Sequence, residues 1–273
     1  MEDVAGLESV KQCMNELIVW PMSRPDIFTG LRALPRGLLL FGPPGTGKTM
    51  IGKAIANQSG ATFFYISASS IGSKWAGESE QLVRTLFAVA AAKQPSVIFI
   101  DEIDSMLTKR RDDDSGFRRA IKTEFMVQLD GMAPTQNDSI LIIGATNCPH
   151  TLDEAIRRRF VKRMYIPLPS TETRAEFTKH ALQDSRHNLS ADDFNRVAES
   201  TRGFSCADMH ALCTEAALCP VRAISDIRNV RAEDIRPIQH QDFTQALGTV
   251  KASVRTKHLK LFEDWNVEFG TTT

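Results

Sequence analysis

The chain has 273 residues, of which 42% are hydrophobic, so it is long enough for one large domain or for a large and a small one. Its 33 lysine and arginine residues balance 33 aspartate and glutamate residues, which excludes a global field that would draw the protein to nucleic acid or to a membrane. No apolar run is long enough to span a membrane, and no signal pattern opens the chain. The five cysteines include no Cys-x-x-Cys pair, which indicates reduced intracellular thiols.

The first segment has the pattern of an amphipathic helix. Apolar residues recur at helical spacing from Val10 to Ile18. The small pair Ala5 and Gly6 precedes them, and two interpretations of this pair stay open: it lets the chain pass close over a flat ring, or it is a plain turn that leads into the helix.

The stretch from Leu38 to Met50 predicts a buried strand, a phosphate-binding turn and a helix. Four apolar residues fit a strand covered on both faces, and the glycines that follow allow several N–H groups to point at one anion. Lys48 would contact the β- and γ-phosphates of a nucleoside triphosphate, and the Thr49 hydroxyl would ligate Mg²⁺. By chance the pattern occurs in roughly one chain in a hundred of this size. The predicted nucleotide-binding residues here are Gly42, Gly45, Thr46, Gly47, Lys48, Thr49 and Met50.

A second strand is predicted at Ala61–Ile66, where β-branched and aromatic residues follow one another. The next segment carries Trp75 among glycine, serine, lysine and glutamate residues. A tryptophan is usually buried, but this one has no apolar periodicity around it. We therefore expect an exposed loop with an aromatic tip that grips a partner.

A third apolar run starts at Ser96 and ends in the acids Asp101 and Glu102. In an α/β sheet ligands bind at the carboxyl ends of the strands, so these acids are expected beside the phosphate-binding turn. Asp101 can hold the Mg²⁺ shell, and Glu102 can orient and deprotonate the water that attacks the γ-phosphate. The alternative, solvated acids that cap a helix, does not explain why two such strand ends occur in one chain.

A charged surface segment at Lys109–Gly116 and helical spacing at Ile121–Leu129 precede a further buried strand, Ser139–Asn147. Asn147 could hold the attacking water by a hydrogen bond. A single asparagine after a strand is, however, more often part of a turn.

Arg157–Arg159 follow a short predicted helix at Leu152–Ile156. Three consecutive arginines cannot share one helix face, so at least one must point to a partner or to solvent. From Ser170 onward only helices are predicted, which gives a domain division of 1–169, 170–250 and 251–273. The later helices are expected at 192–200, 207–224, 241–250 and 259–270. The last of these would have Leu261, Phe262, Trp265 and Phe269 on its apolar face.

Together these motifs resemble the AAA ATPases, and within them the katanin, spastin and fidgetin clade with its fidgetin-like branch. Gly42–Thr49 matches the Walker A loop, Ile98–Asp104 matches Walker B, Gly144–Asn147 matches sensor 1, and Ile156–Phe160 matches the arginine-finger segment. The resemblance implies an α/β fold, with a parallel-sheet P-loop NTPase domain and a smaller all-helical lid. It also implies ATP and ADP as ligands with Mg²⁺ as the cofactor.

Members of this family assemble as ring or spiral hexamers with ATP between subunits. By resemblance, Arg158 and Arg159 would act in trans on the neighbour's γ-phosphate, and Lys74-Trp75-Ala76 would be the first pore loop, which grips a polypeptide. We expect the active protein to be a homohexamer. A second possibility stays open: an isolated ATPase domain, without an N-terminal region that recruits partners, could be a monomer that hydrolyses ATP slowly.

Two further segments match nucleotide contacts of the family. Ala5 and Gly6 match the adenine pocket, and Ser205–Asp208, with Ala207, matches a lid element that faces the nucleotide. Four residues depart from the family pattern and bear on coupling between subunits rather than on catalysis: Cys206, Cys148, Cys219 and Ala120.

The expected function is ATP hydrolysis coupled to remodelling of a protein assembly, without a membrane partner. The fidgetin-like resemblance implies an intracellular protein, nuclear and cytoplasmic with the nucleus favoured, that acts on recombinase filaments or in mitotic and meiotic division. Two alternatives stay open: microtubule severing, and a nucleotide-gated scaffold with negligible turnover.

Overall fold

The computed structural model describes residues 12, 15–24, 26–28, 30–32, 36–68, 78–107, 116–131, 140–224 and 228–271. The chain divides into two compact units. The first comprises Met1–Gly42, Lys48–Ile166 and Leu261–Thr273, and the second comprises Pro43–Gly47 and Pro167–Lys260. These contact-based units differ from the composition-based division in the placement of residues 43–47, 167–169 and 251–260.

A parallel sheet forms the centre of the first unit. Within the described ranges its five strands follow the order β2-β3-β4-β1-β5, and every neighbouring pair is parallel. Every residue of β1 and β4 is buried, as expected for strands covered on both faces. The strands are β1 (Gly37–Phe41), β2 (Thr62–Ser67), β3 (Ser96–Asp101), β4 (Ile140–Thr146) and β5 (Lys162–Tyr165).

The first four strands confirm the sequence prediction, whereas β5 was missed. Its sequence, Lys-Arg-Met-Tyr, has no apolar run that could signal a buried strand. Tertiary context supplies the strand instead, because β5 adds to β1 with Leu38 paired to Lys162 and Phe41 paired to Tyr165.

Helices cover both faces of the sheet. On one face Leu38, Leu40 and Phe99 pack with the helix that follows the phosphate-binding turn. On the other face Leu39 and Phe41 join a larger cluster with the remaining helices of this unit. These helices are α1 (Lys48–Ser59), α2 (Glu78–Ala92), α3 (Asp104–Leu107), α4 (Gly116–Gly131) and α5 (Glu154–Arg159), with shorter helical turns at Asn15–Val19, Trp20–Ser23, Gly30–Arg32 and Pro149–Thr151.

The second unit is helical over its described residues, apart from an isolated bridge between His187 and Ile238. Serines begin three of its helices: the hydroxyl of Ser170, Ser190 and Ser205 accepts a hydrogen bond from the backbone of the first turn. The Ser170 cap confirms the sequence prediction. The helices are α6 (Thr171–Ala181), α7 (Ala191–Ser200), α8 (Cys206–Arg222), α9 (His240–Thr249) and a short turn at Ala232–Asp234. None of the helices in the described part of the chain is long and apolar enough to cross a bilayer.

The last helix, α10 (Thr256–Phe269), brings aromatic side chains to the strand that leads into the phosphate-binding turn. The Trp265 ring meets the Phe41 ring edge-on with centroids 4.4 Å apart, and Phe262 stacks on Tyr165. Both Phe262 and Trp265 are buried, as predicted, but Leu261 is exposed. The helical spacing was therefore right, while the predicted apolar face was one residue too wide.

Replacing Trp265 by alanine should lower the free energy of unfolding of the first unit by about 3–5 kcal/mol, because Trp265 is only 6% exposed and its loss leaves a cavity against Phe41. The matched control is Val267→Ala on the same helix, where the side chain is 89% exposed and the change should stay within about 0.5 kcal/mol. Urea denaturation followed by circular dichroism measures both. Equal effects of the two substitutions would contradict the packing described above.

Candidate active site

The turn after β1 has a backbone that requires glycine. Gly42, Gly45 and Gly47 have φ values of +151°, +76° and +86°, which side-chain-bearing residues rarely adopt. A Cβ on Gly42 would also lie 2.1 Å from the carbonyl oxygen of Ile166. A glycine-rich turn of this kind can direct several N–H groups to one anion, and phosphate binding by these residues stays a prediction.

Lys48 begins α1 with its ammonium group almost withdrawn from water. The residue is 7% exposed, and Nζ donates a hydrogen bond of 3.0 Å to the carbonyl oxygen of Gly42. Burial lowers the pKa of Lys48 to about 8, although the charges of Asp101 and Asp104 act in the opposite direction. A phosphate anion at this position would strengthen the charged form of the lysine, so the site favours a polyanionic ligand.

Thr49 and Asp101 meet as the sequence predicts. The Thr49 hydroxyl donates to Asp101 Oδ2 over 2.8 Å, and Asp101 Oδ1 accepts from the backbone N–H of Glu102 over 3.0 Å. The Tyr65 hydroxyl, which sequence reasoning gave no role, also donates to Asp101 Oδ2 over 3.3 Å. A hydroxyl and a carboxylate side by side are the hard oxygen donors that Mg²⁺ binds, directly or through its waters, so these residues fit that cation.

Glu102 is held in an unusual backbone conformation. Its φ is +51°, the one positive value of a non-glycine residue among those described, and such a conformation costs on the order of 1 kcal/mol. The following turn fixes it, because Ser105 N donates to Glu102 O over 2.8 Å and Ile103 N donates to Ala145 O over 3.0 Å. The carboxylate is exposed directly after β3, where a general base for an attacking water is expected.

Asn147 follows β4, the strand between β3 and β1. Its Oδ1 atom is buried and has no hydrogen-bond partner among the described residues, which leaves it available to a water or a ligand. A neighbouring network fixes the backbone here: Thr146 Oγ1 donates to Asp104 Oδ1 over 2.5 Å, and Cys148 N donates to Thr146 Oγ1 over 2.9 Å. No role was predicted for Asp104, although the sequence shows it as the third acid in the run that begins at Asp101.

The three arginines of α5 separate, as their spacing requires. Arg157 stacks over the Phe269 ring at 4.3 Å, and Arg159 pairs with Asp130 and donates to Ala155 O over 2.9 Å. Arg158 points outward: its side chain is 76% exposed and makes a surface ion pair of 2.6 Å with Glu154. Of the two predicted finger residues, Arg158 is therefore accessible to a neighbouring molecule, whereas Arg159 is engaged within its own chain.

Helix α5 is fixed at both ends to α4. The side chain of Asp153 caps α5 by accepting from Ala155 N over 2.8 Å, and it also accepts from Lys122 Nζ over 2.6 Å. At the other end the Arg159–Asp130 pair joins the same two helices. These contacts hold the backbone that presents Arg158.

The predicted lid element contacts the tip of the glycine turn within the second unit. Ala207 N donates to Gly45 O over 3.1 Å, and a Cβ on Gly45 would lie 2.7 Å from Ser205 Oγ. Cys206, a departure from the family pattern, is partly buried, and this burial raises the pKa of its thiol. A nucleotide contact of Ala207 stays a prediction.

The remaining predicted residues are described in part. Met50 lies on the first turn of α1 and is exposed. The adenine-pocket residues Ala5 and Gly6 and the pore-loop segment Lys74-Trp75-Ala76 lie outside the described residues.

The fold and this arrangement define a P-loop nucleoside triphosphatase domain. Residues 38–168 match the family described as ATPase family associated with various cellular activities (AAA), and residues 191–237 match the AAA+ lid domain. The chain belongs to the AAA family of ATPases, and it carries that family's nucleotide-binding domain.

Among its relatives, the chain is 54% identical to Fidgetin-like protein 1 of Homo sapiens over 271 residues, which is 98% of this chain and 40% of that protein. It is 50% identical to Spastin of Dictyostelium discoideum over 271 residues, 99% of this chain and 41% of the relative. The chain thus spans about two fifths of the length of these curated relatives.

Solved structures agree. The sequence of the FIGL-1 AAA domain, whose crystal structure in complex with ADP is known, is 51% identical to this chain. The two structures superpose with a TM-score of 0.92, and the alignment covers 99% of this chain and 90% of that one. The structure titled "Structural Basis for Katanin Self-Assembly" is 34% identical, with a TM-score of 0.81 over 97% of this chain and 89% of that one.

Replacing Glu102 by glutamine should leave ATP affinity within about twofold and lower turnover by at least about 100-fold, because the amide cannot accept the proton of the attacking water. The contrasting variant is Lys48→Ala, which should weaken ATP binding by about 10- to 100-fold because it removes a charged contact to the phosphates. Calorimetry measures binding, and phosphate release measures turnover. Unchanged phosphate release by the Glu102 variant would remove that residue from the role of base.

Proposed function

We propose that this chain binds ATP with Mg²⁺ and couples its hydrolysis to the remodelling or disassembly of a protein assembly. The observation that carries the proposal is the meeting of Thr49 and Asp101 2.8 Å apart, with Lys48 and Glu102 as their direct chain neighbours. Four residues to which we assign distinct roles in phosphoryl transfer therefore lie next to one another or next to this contact, where β3 ends and α1 begins. The ADP complex of the FIGL-1 AAA domain supports a nucleotide as the ligand.

In the proposed reaction each residue does one task. Lys48 neutralises charge on the β- and γ-phosphates, and the N–H groups of the glycine turn bind their oxygens. Thr49 and Asp101 would hold Mg²⁺, which would supply charge neutralisation to the phosphates when bound. Glu102 accepts the proton of the attacking water, and Asn147 orients that water through its unpartnered Oδ1.

The proposed active form is a homohexamer, as the family resemblance implies, and an arginine supplied by a neighbouring subunit would stabilise the transition-state charge. Arg158 is exposed and is therefore the residue we propose to reach the γ-phosphate bound by a neighbouring subunit. The self-assembly named for katanin supports an oligomer. In such a ring, Trp75 would grip the substrate polypeptide in the central channel.

The proposed substrate follows from the relatives. On the fidgetin-like resemblance of the sequence we propose a role inside the cell, with the nucleus preferred, in recombination or in cell division. Similarity to Spastin keeps microtubule severing as the second candidate. By resemblance to the family, Arg110 and Arg111 would lie near the second pore loop. Acidic tubulin tails would prefer a uniformly basic channel, and here these arginines are followed at once by the acids Asp112–Asp114, which weakens that preference.

A scaffold that binds ATP with negligible turnover is the third candidate. The intact pair of Asp101 and Glu102 argues against it, since a scaffold does not need a base beside the metal site. A steady-state phosphate assay on concentrated protein separates these possibilities: turnover that rises with protein concentration supports the motor, and none supports the scaffold.

Replacing Arg158 by alanine should leave ATP binding unchanged and abolish the rise in specific activity with protein concentration, since a finger supplied in trans contributes about 1,000-fold to the rate. Arg196→Ala is the matched control, because Arg196 is also an exposed helical arginine that pairs with an acid of its own helix. Phosphate release over a range of protein concentrations measures the effect. A rise retained by the Arg158 variant would place the finger elsewhere.

Substrate capture tests the remodelling itself. With ATP, the Glu102→Gln protein should retain recombinase filaments or microtubules in a co-sedimentation assay, and adding Trp75→Ala should abolish that retention while ATP binding persists. Capture of filaments alone supports the recombination role, and capture of microtubules alone supports severing. Equal capture with and without ATP, and with and without the Trp75→Ala substitution, would contradict a pore-based motor.

A further inference from the structure

Tyr65 lies beside the proposed metal site without an assigned role. It is on β2, an edge strand of the sheet, and it pairs with Phe99 of β3. The rings of Tyr65 and Phe99 stack with centroids 6.1 Å apart and an interplanar angle of 14°. The side chain is 49% exposed, so burial in a core does not explain a tyrosine here.

The hydroxyl of Tyr65 reaches past its register partner. Asp101 lies two residues beyond Phe99 on the same face of β3, a diagonal distance that long aromatic side chains can span. Tyr65 Oη thus donates to Asp101 Oδ2 over 3.3 Å. The same oxygen accepts from Thr49 over 2.8 Å, so the carboxylate is held from two separate elements, β2 and α1.

The third contact of Asp101 completes its restraint. Oδ1 accepts from the backbone N–H of Glu102 over 3.0 Å, so the two oxygens of the carboxylate have distinct partners. The Glu102 and Thr49 contacts come from residues already assigned to the reaction. The Tyr65 contact comes from outside that set and can be removed without touching a residue that binds nucleotide.

We propose that Tyr65 is a positioning residue for Mg²⁺, which acts by fixing the orientation of the Asp101 carboxylate. This inference rests on the proposed magnesium-dependent hydrolysis and adds a residue to it. Loss of a partner that orients a metal-binding side chain typically costs about 10- to 100-fold in metal affinity, and a smaller loss is expected here because two other contacts hold the carboxylate. Loss of the hydroxyl removes one of the three contacts that restrain the carboxylate and leaves those from Thr49 and Glu102, so the carboxylate gains rotational freedom. This freedom weakens the hold on the cation and leaves nucleotide contacts made without metal unchanged.

The test uses the Tyr65→Phe variant, which keeps the ring on Phe99 and removes only the hydroxyl. The Mg²⁺ concentration for half-maximal ATP turnover should rise about three- to tenfold, while the affinity for ADP without metal stays within about 1.5-fold. Calorimetry of ADP with and without Mg²⁺ gives a readout independent of turnover. The matched control is Tyr165→Phe, since Tyr165 is the other of the chain's two tyrosines and stacks on Phe41 away from Asp101.

Fluorine resonances report the contact directly. Labelling with 3-fluorotyrosine gives two signals, one for each tyrosine, and each single variant assigns one of them. Adding Mg²⁺ to the ADP-bound protein at pH 7 should shift the Tyr65 signal and leave the Tyr165 signal in place. Incorporating 4-aminophenylalanine at position 65, which restores a donor, should return the Mg²⁺ requirement toward that of the unchanged protein.

Three results would overturn the inference. If the Tyr65→Phe variant and the unchanged protein need the same Mg²⁺ concentration for half-maximal turnover, the hydroxyl does not contribute to Mg²⁺ binding. An equal loss of ADP affinity with and without metal would make Tyr65 a structural residue. If Mg²⁺ does not strengthen ADP binding to the unchanged protein, the proposed magnesium site itself fails, and that result is distinct from the first two.

Discussion

The order of the strands is the constraint on which the rest of this structure depends. Because β4 lies between β3 and β1, and all three are parallel, the residues that follow them emerge at one edge of the sheet. Gly42, Asp101 and Asn147 lie at that edge, and they are the residues to which we assign contacts with phosphate, metal and water, respectively. Residues more than fifty positions apart in sequence can then meet, as the contact between Thr49 and Asp101 shows.

The charges at this edge are arranged before any ligand arrives. Burial of the Lys48 ammonium lowers its pKa, because the charged form loses contact with water. A bound phosphate would offset this loss by stabilising the charged form. The backbone of Glu102 is held at a positive φ, and the Asp101 carboxylate is restrained at both oxygens. Such restraint keeps the groups in reactive orientations and reduces the reorganisation needed when charge develops on the phosphate.

The sequence predicts the parts of the site that lie on buried strands, because a continuous apolar run that ends in glycine or in acids is typical of a parallel strand with a ligand site at its carboxyl end. It could not reveal β5, whose polar residues become a strand only by pairing with β1, nor the role of Tyr65, which depends on the register between β2 and β3. Nor could the sequence predict that Arg158 is exposed while Arg159 is engaged, because Arg159 pairs with Asp130 on a different helix. Local pattern thus predicts which elements form, whereas contacts between elements decide what each side chain does.

The most direct test is a crystal structure of the Glu102→Gln chain with Mg²⁺ and ATP. We expect the triphosphate to lie along Gly42–Thr49, with the cation about 2.1 Å from Thr49 Oγ1 and Asp101 Oδ2 bound to the cation or to one of its waters. A triphosphate bound elsewhere, or a cation held by neither Thr49 nor Asp101, would contradict the claim that the ends of β1 and β3 form one catalytic site.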